Sequence, residues 1–191
     1  MFSYRGFEYI LPGIFKAYPR AYADDFMKRG IVYFTNLNVF KKEEDEERGD
    51  PMEGTGRSIH NDTVYSVHFR GNPIFVWCST LETQKEEILN TWQDRDTVIE
   101  IYDRLKFIDR IIEAGRKHGL ASGSSHIGPV TYDKNTGSRR TGQIVDGLFQ
   151  KNMRYQHQKE FRFVICGVRE LTDKNELILE LGDCGDIARI V

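Results

Sequence analysis

The chain has 191 residues, of which 39% are hydrophobic and 29% are charged, and its formal net charge is −2. This length is typical of one domain, and the apolar content is sufficient for a core, which excludes an intrinsically disordered protein. The densest apolar run, residues 74–78, is too short to cross a bilayer, and charged residues within residues 1–20 leave no uninterrupted apolar stretch such as a signal peptide has. We therefore expect one cytoplasmic domain, residues 1–191, with no membrane partner.

Cysteine and histidine do not stand in a metal-binding pattern. The spacing of His60, Asp62 and His68 is too general to indicate a metal site. The cysteines are odd in number and lie beside apolar residues, so we interpret them as small hydrophobes of the core. They are Cys78, Cys166 and Cys184. We therefore expect no metal cofactor.

The first half of the chain predicts one helix and three strands. A helix at residues 22–29 precedes Gly30, and glycine commonly ends helices. Residues 31–35 are rich in β-branched and aromatic side chains, and residues 63–69 alternate between apolar and polar side chains, so both segments predict strands. Residues 74–78 are apolar on both faces, which predicts a strand at the centre of a sheet.

The second half predicts two helices and several strands. Ser79 and Glu82 have capping-box spacing, which predicts a helix from there to Asn90, and Asp103 is suited to cap a second helix that ends at Gly119. The remaining strands are predicted at residues 97–101, 127–132, 160–165, 177–181 and 187–191. Strands and helices do not alternate regularly, which favours an α+β fold with a split or mainly antiparallel sheet and three or four helices.

Residues 48–54 contain two glycines and a proline around two carboxylates, Asp50 and Glu53. Glycine and proline in these places indicate a defined turn. Its carboxylates are suited to bind a cation, to orient a cationic group or to cap backbone amides. The sequence leaves these alternatives open.

Positive charge is concentrated between Lys134 and Arg162. The segment contains seven basic and two acidic residues, so its charge is +5 while the rest of the chain is −7. Such a segment suits a phosphate-bearing ligand, and it is equally typical of a solvated basic surface. Its basic residues are Lys134, Arg139, Arg140, Lys151, Arg154, Lys159 and Arg162.

Polar residues stand at the head of the predicted strand 160–165. Period-2 geometry places Gln158, Glu160 and Arg162 on one face, and the opposite apolar face is expected to pack on the core. A carboxylate on the polar face is suited to hold a ribose hydroxyl or to stabilise an oxocarbenium ion. The alternative is a surface pair of Glu160 with Arg162 on a half-exposed strand. With either role, a half-exposed Glu160 contributes only about 0–1 kcal/mol, so we expect Glu160→Gln to change the free energy of unfolding little.

Tyr33 and Thr35 share one face of the predicted strand 31–35. An aromatic ring in this position is suited to stack on a base or on a nicotinamide ring. The alternative is a tyrosine packed at the edge of a sheet. The residues alone do not separate these two interpretations.

Five short motifs occur in a characteristic order. They begin at Tyr33, Arg48, Cys78, Phe149 and Tyr155 and read YFTNLNVF, RGDPMEG, CS, FQK and YQHQKEFR. This order resembles a widespread family of prokaryotic and phage proteins of uncharacterised function. That family has an aromatic strand, an (N/R)-x-D-P-x-E-like turn, and a late lysine followed by E-(F/W)-R. The resemblance covers most of the chain, from about Gly30 onward.

That family is in turn similar to the ADP-ribosyltransferase fold, a split antiparallel sheet around an NAD cleft. The resemblance implies that Glu160 is the catalytic carboxylate, with Gln158 as the first residue of a (Q/E)-x-E motif. It also implies that Tyr33 and Thr35 match the element that contacts the nicotinamide ring. Enzymes of this fold carry an Arg or His on an early strand, for which this chain offers three candidates. The candidates are Arg5, Lys16 and Arg20.

The resemblance further implies that NAD is a substrate and that Lys151 and Arg162 pair with its pyrophosphate. Asp50 and Glu53 would line the same cleft, and the protein would belong to a toxin or phage-conflict system. The alternative is a non-catalytic protein that binds a nucleotide, a nucleic acid or a protein partner through the basic segment.

Overall fold

The computed structural model describes residues 2–4, 7–9, 13–42, 49–51, 53–60, 63–68, 73–120, 125–133, 146–166 and 174–191. Its contacts divide the chain into two compact units. The first comprises Met1–Val32, Ser79–Gly119 and Ile178–Val191, and the second comprises Tyr33–Cys78 and Leu120–Leu177. The fold is α+β with mainly antiparallel strand pairing. No helix in the described parts of the chain is both long and apolar enough to cross a membrane.

Strands and helices follow one another in an irregular order. The strands are β1 (Phe2–Tyr4), β2 (Phe7–Tyr9), β3 (Ile14–Tyr18), β4 (Ile31–Asn36), β5 (Thr55–His60), β6 (Thr63–His68), β7 (Ile74–Thr80), β8 (Thr97–Ile101), β9 (Ser125–Pro129), β10 (Thr131–Asp133), β11 (Gln150–Asn152), β12 (Glu160–Cys166), β13 (Glu176–Glu180) and β14 (Ala188–Ile190). The α-helices are α1 (Arg20–Arg29), α2 (Leu37–Phe40), α3 (Lys85–Thr91) and α4 (Arg104–Lys117), and 3-10 helices cover Asp146–Phe149 and Met153–Gln158.

In the first unit, β8 is the central strand. It pairs antiparallel with β3 on one side and with β14 on the other, and α1 and α3 lie against it. Val98, Ile99 and Ile101 are fully buried, because helices and strands cover both faces of this strand. The predicted strand 97–101 is confirmed. The predicted cap of α4 is also confirmed, since the Asp103 carboxylate accepts a hydrogen bond of 3.1 Å from the backbone N–H of Lys106.

In the second unit, β7 pairs with β4 and with β12. Phe75 is fully buried and Trp77 is 2% exposed, which confirms the predicted buried strand at 74–78. On its other side β12 pairs antiparallel with β9, from Phe161 opposite Pro129 to Ile165 opposite Ser125. The short strands β10 and β11 are parallel. This pairing determines which side chains meet at the head of β12.

The predicted capping box at Ser79 is wrong. Ser79 still belongs to β7, and α3 begins only at Lys85. The intervening turn is held differently, because the Thr80 hydroxyl accepts the N–H of Glu82 and the Glu82 carboxylate accepts the N–H groups of Thr83 and Gln84. Glu82 therefore stabilises the turn before α3 and does not cap the helix.

Gly30 ends α1 as predicted. Its φ of 64° lies in the left-handed region, and its N–H donates to the Phe26 carbonyl oxygen. The segment that leads into the C-terminus runs directly beside it, with the Leu181 N–H donating to the Gly30 oxygen at 3.0 Å. A Cβ on Gly30 would lie 2.5 Å from the backbone oxygen of Gly182. Gly119, beyond the end of α4, has a φ of +77° and no atom within 4 Å of such a Cβ.

These two glycines predict different costs for the same substitution. Gly119→Ala introduces only left-handed backbone strain, so we expect it to lower the free energy of unfolding by about 1–2 kcal/mol. Gly30→Ala adds a clash with backbone that cannot rotate away, and we expect a loss at least about 1–3 kcal/mol larger. Urea denaturation of both variants measures the difference. Equal losses would contradict the close approach of residues 181–182 to Gly30.

Candidate functional site

The chain reverses direction just before β12. Lys159 has a φ of 42°, the left-handed region that residues other than glycine adopt only where the surroundings hold them there. Gln158 therefore belongs to the 3-10 helix Met153–Gln158 and not to the strand, contrary to the predicted shared face. The side chain of Gln158 nevertheless lies near Glu160, because its Oε1 accepts a hydrogen bond from Lys151.

The polar face at the head of β12 is buried, which contradicts the expected half-exposed surface pair. Glu160 is 5% exposed and Arg162 is 1% exposed. The turn that contains Glu53 and the strand that contains Lys151 cover this face, and both of these side chains are also buried. A charged side chain is rarely buried unless it is paired, so the partners decide what the face can do.

Arg162 lies at the centre of the arrangement. Its Nε donates to Glu160 Oε1 at 2.9 Å, and its Nη2 donates to Glu160 Oε2 at 3.1 Å. On its other side Nη1 and Nη2 donate to Glu53 Oε1 and Oε2 at 2.5 and 2.9 Å, across 109 positions of sequence. Nη1 also donates to the Leu148 carbonyl oxygen at 2.7 Å. Both carboxylates are thus held in the two-point geometry that a guanidinium favours.

Lys151 completes the arrangement. Its Nζ donates to Gln158 Oε1 at 2.8 Å and lies 3.3 Å from Glu160 Oε2. The same Nζ lies 4.5 Å from the centre of the Tyr155 ring, within the range of a cation–π interaction. We call the hydrogen-bonded set Glu53, Lys151, Gln158, Glu160 and Arg162 the Glu160 network. It brings together five of the residues that the sequence predicted for the site.

The turn that carries Glu53 is held by backbone hydrogen bonds. The Asp50 N–H donates to the Phe40 carbonyl oxygen at 3.0 Å, and the Glu53 N–H donates to the Asp50 carbonyl oxygen at 2.8 Å. The Tyr155 hydroxyl, which lies next to the network, donates to the Gly49 carbonyl oxygen at 2.6 Å. Asp50 itself is buried within the turn. Glu53 therefore reaches Arg162 from a shaped turn, as the glycine and proline pattern predicted.

The network balances its charges, since two carboxylates face one guanidinium and one ammonium group. Burial opposes the ionised form of Glu160, yet Arg162 and Lys151 outweigh burial and hold the pKa of Glu160 well below its ordinary value. For Lys151 burial also opposes the charged form, and Glu160 outweighs it, so the pKa of Lys151 is raised. Glu160 is therefore an anion, and Lys151 a cation, throughout the neutral range.

Two side chains at the network were not predicted. The Tyr132 hydroxyl oxygen accepts the backbone N–H of Glu160 at 2.7 Å. The Cys78 thiol lies close enough to the Glu160 carboxylate to help lower its pKa, so its interpretation as a hydrophobe was incomplete, although it also packs against the core cluster that contains Val76 and Leu148. No sequence signal identifies Tyr132, and Cys78 belongs to the CS motif without a role in the site being assigned to it, because both positions depend on the pairing of β7 and β10 with their neighbours.

Tyr33 and Thr35 lie on β4, where both are partly buried on one face as predicted. Thr35 is opposite Val76 of β7, and β7 in turn pairs with β12. Neighbouring strands are about 4.8 Å apart, so β4 and the strand of Glu160 are separated by about 10 Å. Of the candidates for the early basic residue, Lys16 lies in β3 and Arg20 begins α1. Arg5 lies outside the described residues.

Only some of the described basic residues between Lys134 and Arg162 are exposed to solvent. Lys151 and Arg162 are buried and neutralised by carboxylates, whereas Arg154 and Lys159 are exposed. The other basic residues predicted for this segment lie outside the described residues; they are Lys134, Arg139 and Arg140. The local excess of positive charge therefore does not by itself indicate a phosphate site.

No protein-family model, curated protein or solved structure matches the chain. The resemblance to ADP-ribosyltransferases therefore stays a prediction from the motifs. Within the described residues, no group of three or more His, Cys, Asp and Glu side chains is placed to hold a metal ion. Asp62, one member of the spacing considered above, lies outside those residues.

The burial of Glu160 reverses the expected effect of its replacement. Glu160→Gln leaves Arg162 and Lys151 with an uncompensated buried charge, so we expect the free energy of unfolding to fall by about 3–5 kcal/mol. Glu100→Gln is the matched control, because Glu100 pairs with Arg189 at the surface, where the two side chains are 20% and 65% exposed. We expect the control to change stability by about 0–1 kcal/mol. Similar losses in urea denaturation of the two variants would show that Glu160 is not a buried ion-pair partner.

The same network predicts how stability depends on pH. The pKa of Glu160 is lowered from an ordinary 4.5, so its contribution is complete above that pH and is lost as the pH falls below it. The pKa of Lys151 is raised from an ordinary 10.5, so its contribution is complete below that pH and is lost at higher pH. We expect the melting temperature to decrease as the pH falls below the ordinary carboxyl pKa of 4.5. In Glu160→Gln the melting temperature should depend less strongly on acid pH. An identical acid dependence in both proteins would contradict this assignment.

Proposed function

We propose that the chain is an NAD-binding protein of the ADP-ribosyltransferase type, with Glu160 as its reacting carboxylate. The observation that supports this is the convergence of Glu160, Gln158, Lys151 and Arg162 with Glu53, from three separate segments of the chain. The E-F-R and F-x-K motifs that carry the family resemblance thus take part in one site.

The electrostatics of Glu160 suit this chemistry. Cleavage of the bond between nicotinamide and ribose leaves positive charge on the ribose, and a fixed carboxylate stabilises that charge. The pKa of Glu160 lies well below its ordinary value, because Arg162 and Lys151 outweigh the effect of burial. The carboxylate is therefore ionised without the loss of a proton at the moment of reaction. In this proposal Tyr33 stacks on the nicotinamide ring, and Gln158 positions the acceptor.

A second function, binding of a nucleotide without chemistry, is favoured by a different observation. Both oxygens of Glu160 accept hydrogen bonds from Arg162, and the residue is 5% exposed. A carboxylate that is occupied in this way contacts a ribose only after part of its coordination is exchanged. Without that exchange, the ligand or nucleic acid would be held by exposed neighbours such as Arg154 and Lys159.

Glu160→Asp separates the two functions. Aspartate keeps the negative charge between Arg162 and Lys151 but withdraws the carboxylate by one methylene. We therefore expect the free energy of unfolding to fall less than in Glu160→Gln. If Glu160 stabilises the oxocarbenium ion, release of nicotinamide from NAD should fall on the order of 10²–10³-fold, equivalent to about 3–4 kcal/mol. Nicotinamide release and the melting temperature are measured on the same samples, with Glu100→Asp as the surface control.

The outcome distinguishes the proposals. Wild-type protein that releases nicotinamide, with a loss confined to Glu160→Asp, supports the enzyme. Wild-type protein that binds NAD or ADP-ribose but releases no nicotinamide supports the binding function. Wild-type protein that neither binds nor cleaves NAD contradicts both for this nucleotide, and the Glu160 network is then a structural element.

A further inference from the structure

Tyr132 lies at the edge of the Glu160 network. It is the middle residue of β10, opposite Lys151 in the parallel pair with β11. Its hydroxyl oxygen accepts the backbone N–H of Glu160 at 2.7 Å, which fixes the phenol at the first residue of β12. No family motif identified above includes this residue.

The Tyr132 hydroxyl is able to donate a hydrogen bond as well as to accept one. A phenolic oxygen is both a donor and an acceptor, and here the Glu160 N–H uses it as an acceptor. Among the described residues, none is placed to accept the Tyr132 hydrogen. The neighbouring Tyr155 differs in this respect, because its hydroxyl donates to the Gly49 carbonyl oxygen. Within the part of the chain that the structure describes, the Tyr132 hydroxyl therefore keeps one donor without a protein acceptor, directly beside Glu160.

Tyr132 also differs from the network in its exposure. Glu160, Lys151, Gln158 and Arg162 are all buried, whereas Tyr132 is partly exposed. A ligand that approaches Glu160 from solvent can thus contact Tyr132 without displacing an ion pair. Burial raises the pKa of Tyr132 far above its ordinary value, so the hydroxyl keeps its proton at neutral pH and acts as a donor.

We propose that Tyr132 is a ligand-binding residue whose hydroxyl donates a hydrogen bond to a ribose oxygen of the nucleotide held next to Glu160. A ribose fits this pair, because its hydroxyls donate to a carboxylate and its oxygens accept from a phenol. Tyr132 then orients the sugar, while Glu160 supplies the negative charge. This inference rests on the proposed nucleotide site and adds to it the group that recognises the sugar.

Tyr132→Phe removes the hydroxyl alone and tests the proposal. We expect the affinity for NAD and for ADP-ribose to fall by about three- to tenfold, the range of one neutral hydrogen bond. The affinity for inorganic pyrophosphate, which lacks ribose, should not change. Tyr102→Phe is the matched control, since the Tyr102 hydroxyl donates to the Gly185 carbonyl oxygen at 3.0 Å within the first unit. Calorimetric titration gives the affinities, and thermal denaturation without ligand gives the stability of each variant.

Each outcome decides between a binding and a structural residue. A loss of affinity for NAD and ADP-ribose only, with a melting temperature close to that of Tyr102→Phe, supports the proposal. Unchanged affinity for NAD and ADP-ribose overturns it while the nucleotide site itself stands. An equal loss for all three ligands, or a variant that is unfolded while Tyr102→Phe is folded, shows a structural role and also overturns it. Wild-type protein that binds none of the ligands refutes the nucleotide site and this inference together.

Discussion

The guanidinium of Arg162 is the group on which the second unit depends. It binds Glu160 on its own strand, Glu53 on the turn 49–54 and the carbonyl oxygen of Leu148 at the end of a 3-10 helix. Three segments of the chain thus share one planar cation, and its donors match two carboxylates at once. Lysine would not replace it, because an ammonium group has neither the fork geometry nor the reach to hold both partners.

Stability alone does not account for this network. The free energy of transferring four charged groups from water to a protein interior is large, and the Coulombic attraction between them often only offsets it. Apolar side chains of similar volume would fill the same space as well or better. What the charged residues add is a carboxylate, that of Glu160, which stays ionised in a place largely shielded from solvent. A group of that kind is useful for chemistry or recognition, which is why we propose a function for it.

In the second unit, the buried Glu160 network lies beside side chains that are partly exposed. Cys78 and Tyr132 contact Glu160 and are partly exposed, whereas Lys151, Gln158 and Arg162 are buried. In the proposed site, a ligand would therefore meet Tyr132 and Cys78 first. Under our proposal, this order of contact would reconcile the paired state of Glu160 with a role in binding, because the sugar would be held by Tyr132 before any ion pair exchanges.

The sequence by itself determined the local structure: the Gly30 stop, the Asp103 cap and the buried strand 74–78, since each depends on a few adjacent residues. It also determined part of the Glu160 network, because the E-x-R spacing on β12 places Glu160 and Arg162 on one face. Only the tertiary structure decided that this face is buried, that Gln158 reaches it through Lys151, and that Tyr132 and Cys78 border it. Those facts depend on which strands pair and in which register, and on the turn that covers the face. Pairing and register arise from contacts between distant segments, and periodicity within one segment does not contain them.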